Sequence, residues 1–81
     1  MSNSPTILVV EDQESERNAL ARLLRMEQYE VIATEDSRRA MEFVDQPIEL
    51  VISDLRIGRE SGLDLLKQWR LRRPTPFVMI T

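Results

Sequence analysis

Three acidic side chains of this sequence follow apolar segments and could share one chemical site. Glu11 and Asp12 come directly after the apolar residues 7–10, and Asp54 comes directly after residues 50–53. Apolar runs of this kind are typical of buried parallel strands, whose carboxyl ends meet at one edge of a sheet. We therefore expect the three carboxylates to lie close together.

A cluster of carboxylates at neutral pH needs protons or a cation. At an effective dielectric constant of about 20, two unit charges about 4 Å apart repel each other by about 4 kcal/mol. The chain contains neither histidine nor cysteine, and a site built from oxygen ligands alone favours Mg²⁺. We therefore predict a magnesium site at Glu11, Asp12 and Asp54.

A magnesium ion beside a carboxylate at a strand end is typical of phosphoryl transfer. Asp54 is the candidate nucleophile. Thr81 ends the apolar residues 77–81 and is the candidate hydroxyl donor to a phosphoryl oxygen. Taken singly, each residue has an ordinary alternative, because acidic pairs after strands are commonly solvated loop or cap residues. Their joint placement on three strands favours the shared site.

The segments that position these residues alternate between strand and helix patterns. Short apolar runs predict strands at residues 6–10, 29–34, 50–53 and 77–81. Apolar residues at helical spacing predict one-sided helices that begin near Ser15, Ser37 and Ser61. The second is expected to continue through Val44 and to end at residues 45–47. Ser37 and Ser61 are the expected N-caps, and Leu63, Leu66 and Trp69 the expected buried face of the third helix. The order is βαβαβαβ, an α/β fold with right-handed crossovers.

Composition restricts the class of protein. A chain of 81 residues suits one small domain of marginal stability. The absence of cysteine argues against disulfides and thiolate sites, so we expect a reducing cytoplasm. No apolar stretch reaches the length of a membrane helix, and residues 1–5 lack a signal-peptide pattern and are expected to form a disordered tail. The net charge of −3 argues against direct binding of nucleic acid.

The combined motifs resemble the receiver domain of two-component response regulators. They are Leu-Val-Val-Glu-Asp at residues 8–12, Asp-Leu-Arg at residues 54–56, Gly62 with Leu63, and Ile80 with Thr81. The resemblance implies a flavodoxin-like doubly wound parallel sheet with strand order 2-1-3-4. It also implies that Asp54 accepts a phosphoryl group from a sensor histidine kinase or a phosphotransfer protein.

The resemblance assigns further roles at the predicted site. Asp12 would ligate Mg²⁺ directly, Glu11 would act mostly through water, and Arg56 would offer its backbone carbonyl. Thr81 would be the switch residue whose hydroxyl follows the phosphoryl group. The amino-acid sequence at residues 54–56 and 61–66 is most similar to that of receivers attached to DNA-binding transcription activators. This similarity implies transcription regulation through an output domain outside these residues.

Departures from the family pattern limit what can be carried over. Gly58 stands where most receivers have proline, and Glu60 stands where methionine is common and is expected to add negative charge near the cleft. The family's lysine, fifth strand and last two helices would lie beyond Thr81. We therefore expect residues 6–81 to be the N-terminal two-thirds of a receiver domain, incomplete after the fourth strand, which accepts phosphate weakly by itself and self-associates.

One alternative stays open at this point, and a second does not match the residues. A pseudo-receiver or dominant-negative fragment could bind a kinase or sister regulator without phosphorylation, and such an interaction module would need no metal. Haloacid-dehalogenase-like phosphatases and Toprim nucleases both use an Asp-x-Asp motif. The adjacent Glu11 and Asp12 and the sequence at residues 54–56 do not provide one. We therefore expect no enzyme activity beyond autocatalytic phosphotransfer.

Overall fold

The computed structural model describes residues 4–80, so residues 1–3 of the predicted tail and Thr81 lie outside the described part of the chain. The main strands are β1 (Thr6–Val10), β2 (Glu30–Thr34), β3 (Leu50–Asp54) and β6 (Phe77–Ile80). The helices are α1 (Glu14–Met26), α2 (Ser37–Met41) and α3 (Gly62–Arg70). Two short strands, β4 (Arg56–Ile57) and β5 (Glu60–Ser61), form a separate hairpin between β3 and α3.

The four main strands form one parallel sheet in the order β2-β1-β3-β6. The predicted order 2-1-3-4 is confirmed, with β6 in the fourth position because the hairpin is not part of this sheet. Val10 at the end of β1 is in register with Thr34 on β2 and with Ser53 on β3. The residues that follow Val10 and Ser53 therefore leave the sheet at the same level.

The main core lies between one face of the sheet and helices α2 and α3. Trp69 of α3 is fully buried, and its ring meets Phe77 edge-on, with 5.9 Å between the centroids. The buried members of this core are Leu8, Val10, Ala40, Val44, Ile48, Val51, Ile57, Leu65 and Trp69. Ile7 and Val9 alternate with core residues on β1, so they are buried on the opposite face, where α1 contacts β1 and β2.

Three local predictions need correction. The cap of α2 is Asp36, whose Oδ1 accepts from the Arg39 amide at 2.7 Å, and Ser37 is the first helical residue. The carboxylate one residue earlier reaches the third amide of the helix, which is the usual geometry of an N-cap. After Met41 the chain continues in turns with hydrogen bonds to the third preceding residue, so α2 is shorter than expected.

The buried face of α3 also differs from the prediction. Leu65 is 1% exposed and Trp69 is fully buried, whereas Leu63 is 48% exposed and Leu66 is half-buried. Leu65 and Trp69, which are four residues apart, therefore face the sheet, because Gly62 at the start of α3 packs closely against the end of β3. Ser61 is the predicted cap, and its Oγ accepts from the Leu63 amide at 3.1 Å.

Among residues 4–80 no helix is long and apolar enough to cross a membrane.

Candidate metal centre

The predicted carboxylates meet at the carboxyl edge of the sheet. Glu11, Asp12 and Asp54 each present an oxygen within 4.8 Å of the others. This convergence follows from the register of the two central strands, because Val10 and Ser53 are partners and the acidic residues come directly after them. The position is the topological switch point, with β2 on one side of β1 and β3 on the other.

Glu11 is the fixed and buried member of the group. It is 3% exposed, and its Oε2 accepts from the Gln13 amide at 2.9 Å. Its backbone is also held, because its amide donates to the Thr34 carbonyl at 3.0 Å and its carbonyl accepts from Arg17 Nη1 at 3.0 Å. Asp12 is exposed and Asp54 is half-buried, so the site opens to solvent on their side.

Burial raises the pKa of Glu11 above its ordinary value of 4.5. The hydrogen bond from the Gln13 amide opposes this effect, while the side chains of Asp12 and Asp54 add to it. The ion pairs within residues 4–80 involve Glu42 or Asp45 and none of the three site carboxylates. A group of acidic oxygens with one buried member and no basic partner fits a hard divalent cation such as Mg²⁺.

The β4–β5 hairpin lies beside this site. Its two-residue loop begins at Gly58, which has a φ of 62°. Among residues 4–80 only Gln28 is a non-glycine residue with positive φ, so Arg59 has a negative one, as in a type II′ turn. A Cβ on Gly58 would lie 3.8 Å from Asp12 Oδ2. The glycine that replaces the family's usual proline therefore closes a hairpin against the carboxylates.

Glu60 anchors this hairpin away from the acidic centre. Its Oε1 accepts from the Ser37 amide at 3.1 Å, at the start of α2. Ile57, the partner of Glu60 on β4, is buried in the core. The negative charge of Glu60, expected from the sequence to lie near the cleft, is thus paired with the amino-terminal end of a helix.

The remaining predicted site residues are placed as follows. Arg56 begins β4, and its amide donates to Asp54 Oδ1 at 3.3 Å. Thr81 lies outside the described residues, and the strand that precedes it pairs Ile80 with Asp54. Sequence reasoning missed Ser53, whose Oγ donates to the Asp54 carbonyl at 2.9 Å. A serine inside an otherwise apolar strand was the available signal.

Comparison with known proteins identifies the family. The model of the response regulator receiver domain matches residues 7–81. This chain belongs to that family. The transcriptional regulatory protein CpxR of Escherichia coli K12 is 35% identical over 75 residues, which cover 93% of this chain and 32% of CpxR. The sensory transduction protein RegX3 of Mycobacterium tuberculosis is 39% identical over 77 residues, which cover 94% of this chain and 34% of RegX3.

Solved receiver domains share the fold of this receiver chain. The non-phosphorylated HemR receiver domain of Leptospira biflexa superposes with a TM-score of 0.87 at 28% identity, over 94% of this chain and 63% of that one. A response regulator receiver protein of Pseudomonas putida gives a TM-score of 0.88 at 28% identity, over 99% and 69% of the two chains. The chain thus spans about a third of the curated relatives and about two-thirds of these solved domains.

The buried carboxyl of Glu11 makes stability depend on pH. Because its pKa is raised in the folded receiver, its contribution to stability is complete below the unfolded value of 4.5 and is lost as pH rises through the folded value. We expect Glu11→Gln to remove this loss and to raise the unfolding temperature at neutral pH in EDTA. The same variant should bind Mg²⁺ about tenfold more weakly or worse.

Thermal unfolding in EDTA between about pH 4 and about pH 7 measures the first effect, and calorimetric titration with Mg²⁺ measures the second. The control is Glu49→Gln, which changes an exposed carboxylate in the loop before β3. A Glu11→Gln chain that is less stable than the parent in EDTA at neutral pH would contradict the electrostatic account.

Proposed function

We propose that this receiver chain is the phosphoacceptor of a cytoplasmic phosphorelay, in which Asp54 takes a phosphoryl group from a sensor histidine kinase or a phosphotransfer protein. The observation that supports this most directly is the convergence of Glu11, Asp12 and Asp54 within 4.8 Å at the open edge of the sheet. Membership of the receiver family supports the same assignment. We further propose that residues 6–81 form the amino-terminal two-thirds of the domain, after a short tail.

Glu11, Asp12, Asp54 and the backbone carbonyl of Arg56 are the proposed ligands of Mg²⁺. The ion, when bound, would neutralise charge on the oxygens of the transferring phosphoryl group. The buried Glu11 is anchored by the Gln13 amide and would carry its negative charge when the ion is bound. The exposed Asp12 leaves room for water and for phosphate oxygens, which Mg²⁺ retains among its ligands.

Asp54 is the proposed nucleophile. One carboxylate oxygen attacks phosphorus in line, the new P–O bond forms as the P–N bond of a phosphohistidine breaks, and the electron pair leaves with the imidazole, which takes up a proton. The Arg56 amide lies 3.3 Å from Oδ1 and can orient the carboxylate. Thr81 is the proposed switch residue, whose hydroxyl would bond a phosphoryl oxygen.

The acceptor reaction is proposed to be slow in residues 1–81 alone. A phosphorylated aspartate carries added negative charge, and within residues 4–80 no lysine or arginine forms an ion pair with the site carboxylates. In the full protein we propose that phosphorylation regulates transcription through an output domain, as suggested by a relative named as a transcriptional regulatory protein. The reaction is autocatalytic phosphotransfer rather than enzymatic turnover.

Incubation with acetyl phosphate and Mg²⁺, followed by mass measurement of the intact chain and its peptides, tests the proposal. We expect slow addition of one phosphoryl group on the peptide that contains Asp54, and no addition in EDTA. Absence of labelling, together with kinase binding that EDTA does not change, would instead favour the phosphorylation-independent interaction module. Labelling that is equally fast with and without Mg²⁺ would contradict the metal assignment.

Self-association is proposed through β6. Val78 and Ile80 are 45% and 39% exposed, and within residues 4–80 the strand pairs only with β3. An open edge with apolar side chains is a template for pairing with a second copy of the chain. Sedimentation at micromolar concentration should give a dimer or larger species, reduced by Val78→Lys. A monomer over that range would contradict this part of the proposal.

A further inference from the structure

We propose that Ser53 is a positioning residue for the acceptor. Its hydroxyl holds the peptide unit between Asp54 and Leu55 in the orientation that phosphoryl transfer requires. The inference rests on the proposed role of Asp54 and adds to it a side chain that does not touch the phosphoryl group.

The surroundings of Ser53 make its hydroxyl unusual. The residue is fully buried, and it lies on the same face of β3 as Val51, which belongs to the apolar core. A hydroxyl in such a place destabilises the fold unless it forms a hydrogen bond. Ser53 Oγ donates to the backbone carbonyl of Asp54 at 2.9 Å. The bond is therefore made to the acceptor residue itself.

The peptide unit that receives this bond is held at its other end as well. The Leu55 amide donates to the Ile80 carbonyl at 2.9 Å. The Leu55 carbonyl in turn accepts from the Gly62 amide at 2.8 Å. The chain that leaves the acceptor is thus tied to β6 and to the first residue of α3, and the Ser53 hydroxyl fixes the Asp54 carbonyl, which directly precedes these two contacts.

Gly62 limits where the Asp54 carbonyl can lie. A Cβ on Gly62 would lie 2.3 Å from that carbonyl oxygen and 3.0 Å from Ser53 Oγ. The carbonyl and the hydroxyl therefore occupy the space that a side chain at the start of α3 would need. Such a close fit is consistent with one defined orientation of the peptide plane rather than several.

The orientation of this plane determines the direction of the Asp54 side chain. If the hydroxyl is removed, the carbonyl can rotate, and the carboxylate shifts relative to Glu11 and to the line of attack. A misplacement of about 1 Å can slow a reaction by about 100-fold. Because the bonds of Leu55 remain, we expect a loss of about tenfold in the rate at saturating donor.

The sharpest test is the pair Ser53→Thr and Ser53→Val. Both add a β-branched side chain of the same size to the strand, and only threonine keeps the hydroxyl. With acetyl phosphate and Mg²⁺, Ser53→Val and Ser53→Ala should be phosphorylated about tenfold more slowly than Ser53→Thr. The donor concentration that gives half the maximal rate should stay the same in all of them.

Thr34→Val is the matched control, because it removes only the hydroxyl and keeps the backbone carbonyl that accepts from the Glu11 amide. Thr34 is also buried, and its Oγ1 donates to the Val9 carbonyl at 2.8 Å, so the variant loses a bond of the same kind away from the acceptor. We expect a lower unfolding temperature and an unchanged rate, measured where circular dichroism shows folded chain. Equal rates for Ser53→Thr and Ser53→Val, or an equal slowing by Thr34→Val, would overturn the positioning role alone. A parent chain that is never labelled would overturn the proposed function and this inference together.

Discussion

Asp54→Asn is expected to abolish Mg²⁺-dependent phosphorylation of the chain while preserving its fold. The amide has the shape of the carboxylate, and its oxygen can still accept from the Arg56 amide. It carries no negative charge, so it is a poor nucleophile and a poor ligand for a hard cation. Mass measurement after incubation with acetyl phosphate should find no phosphorylated species. Thermal unfolding in EDTA should find no loss of stability, because the substitution removes the repulsion by which Asp54 raises the pKa of Glu11.

Asp45→Asn is the control for this result. Asp45 is exposed and forms an ion pair with Arg72 at 2.6 Å. Its substitution therefore also removes a negative charge, but away from the carboxyl edge of the sheet. It should be labelled like the parent. If Asp54→Asn takes up the phosphoryl group at the parental rate, the acceptor lies elsewhere and the assignment of the site is wrong.

Gly62→Ala is expected to cost about 3 kcal/mol of stability and most of the acceptor activity. The added methyl would meet the Asp54 carbonyl oxygen at 2.3 Å, which is backbone and cannot move aside as a flexible side chain does. Either α3 shifts away from β3 or the peptide unit after Asp54 rotates. Because a chain of 81 residues has a free energy of unfolding of only about 4 to 12 kcal/mol, urea unfolding should detect the loss readily.

Gly58→Ala separates a steric clash from backbone strain. Gly58 has positive φ, which disfavours alanine, but a Cβ there would lie at an ordinary contact distance of 3.8 Å from Asp12 Oδ2. We expect a loss of about 1 kcal/mol. The phosphorylation rate of Gly58→Ala should be closer to the parental rate than the rate of Gly62→Ala is. A Gly62→Ala chain as stable as Gly58→Ala would show that α3 can retreat from β3 without cost.

The strand pattern predicted that Glu11, Asp12 and Asp54 lie close together, because this proximity depends on few physical facts. Parallel strands end at a common edge, and apolar runs locate those ends to within a residue. Glu11 and Asp54 then had to be neighbours, since β1 and β3 pair in register. The sequence also predicted the sheet order through its family resemblance, and the structure confirms that order.

The features that the sequence did not predict depend on tertiary contacts. The β4–β5 hairpin has strands of two residues each, too short to give an alternating pattern. The buried face of α3 was assigned to Leu63 and Leu66, because the contact of Gly62 with β3 that selects Leu65 is invisible in the sequence. The competition between Asp36 and Ser37 for the cap of α2 is likewise decided by local geometry.

The burial of Glu11 gives the protein a thermodynamic link to its ionic environment. The proposed cation, held by Glu11, Asp12 and Asp54 in the folded chain and not in the unfolded one, would add stability that grows with the logarithm of its free concentration. At about 100 times the dissociation constant this contribution is about 2.7 kcal/mol. Against the small free energy of unfolding of these 81 residues, the proposed site would let the concentration of free divalent ion help to set the fraction of molecules that are folded.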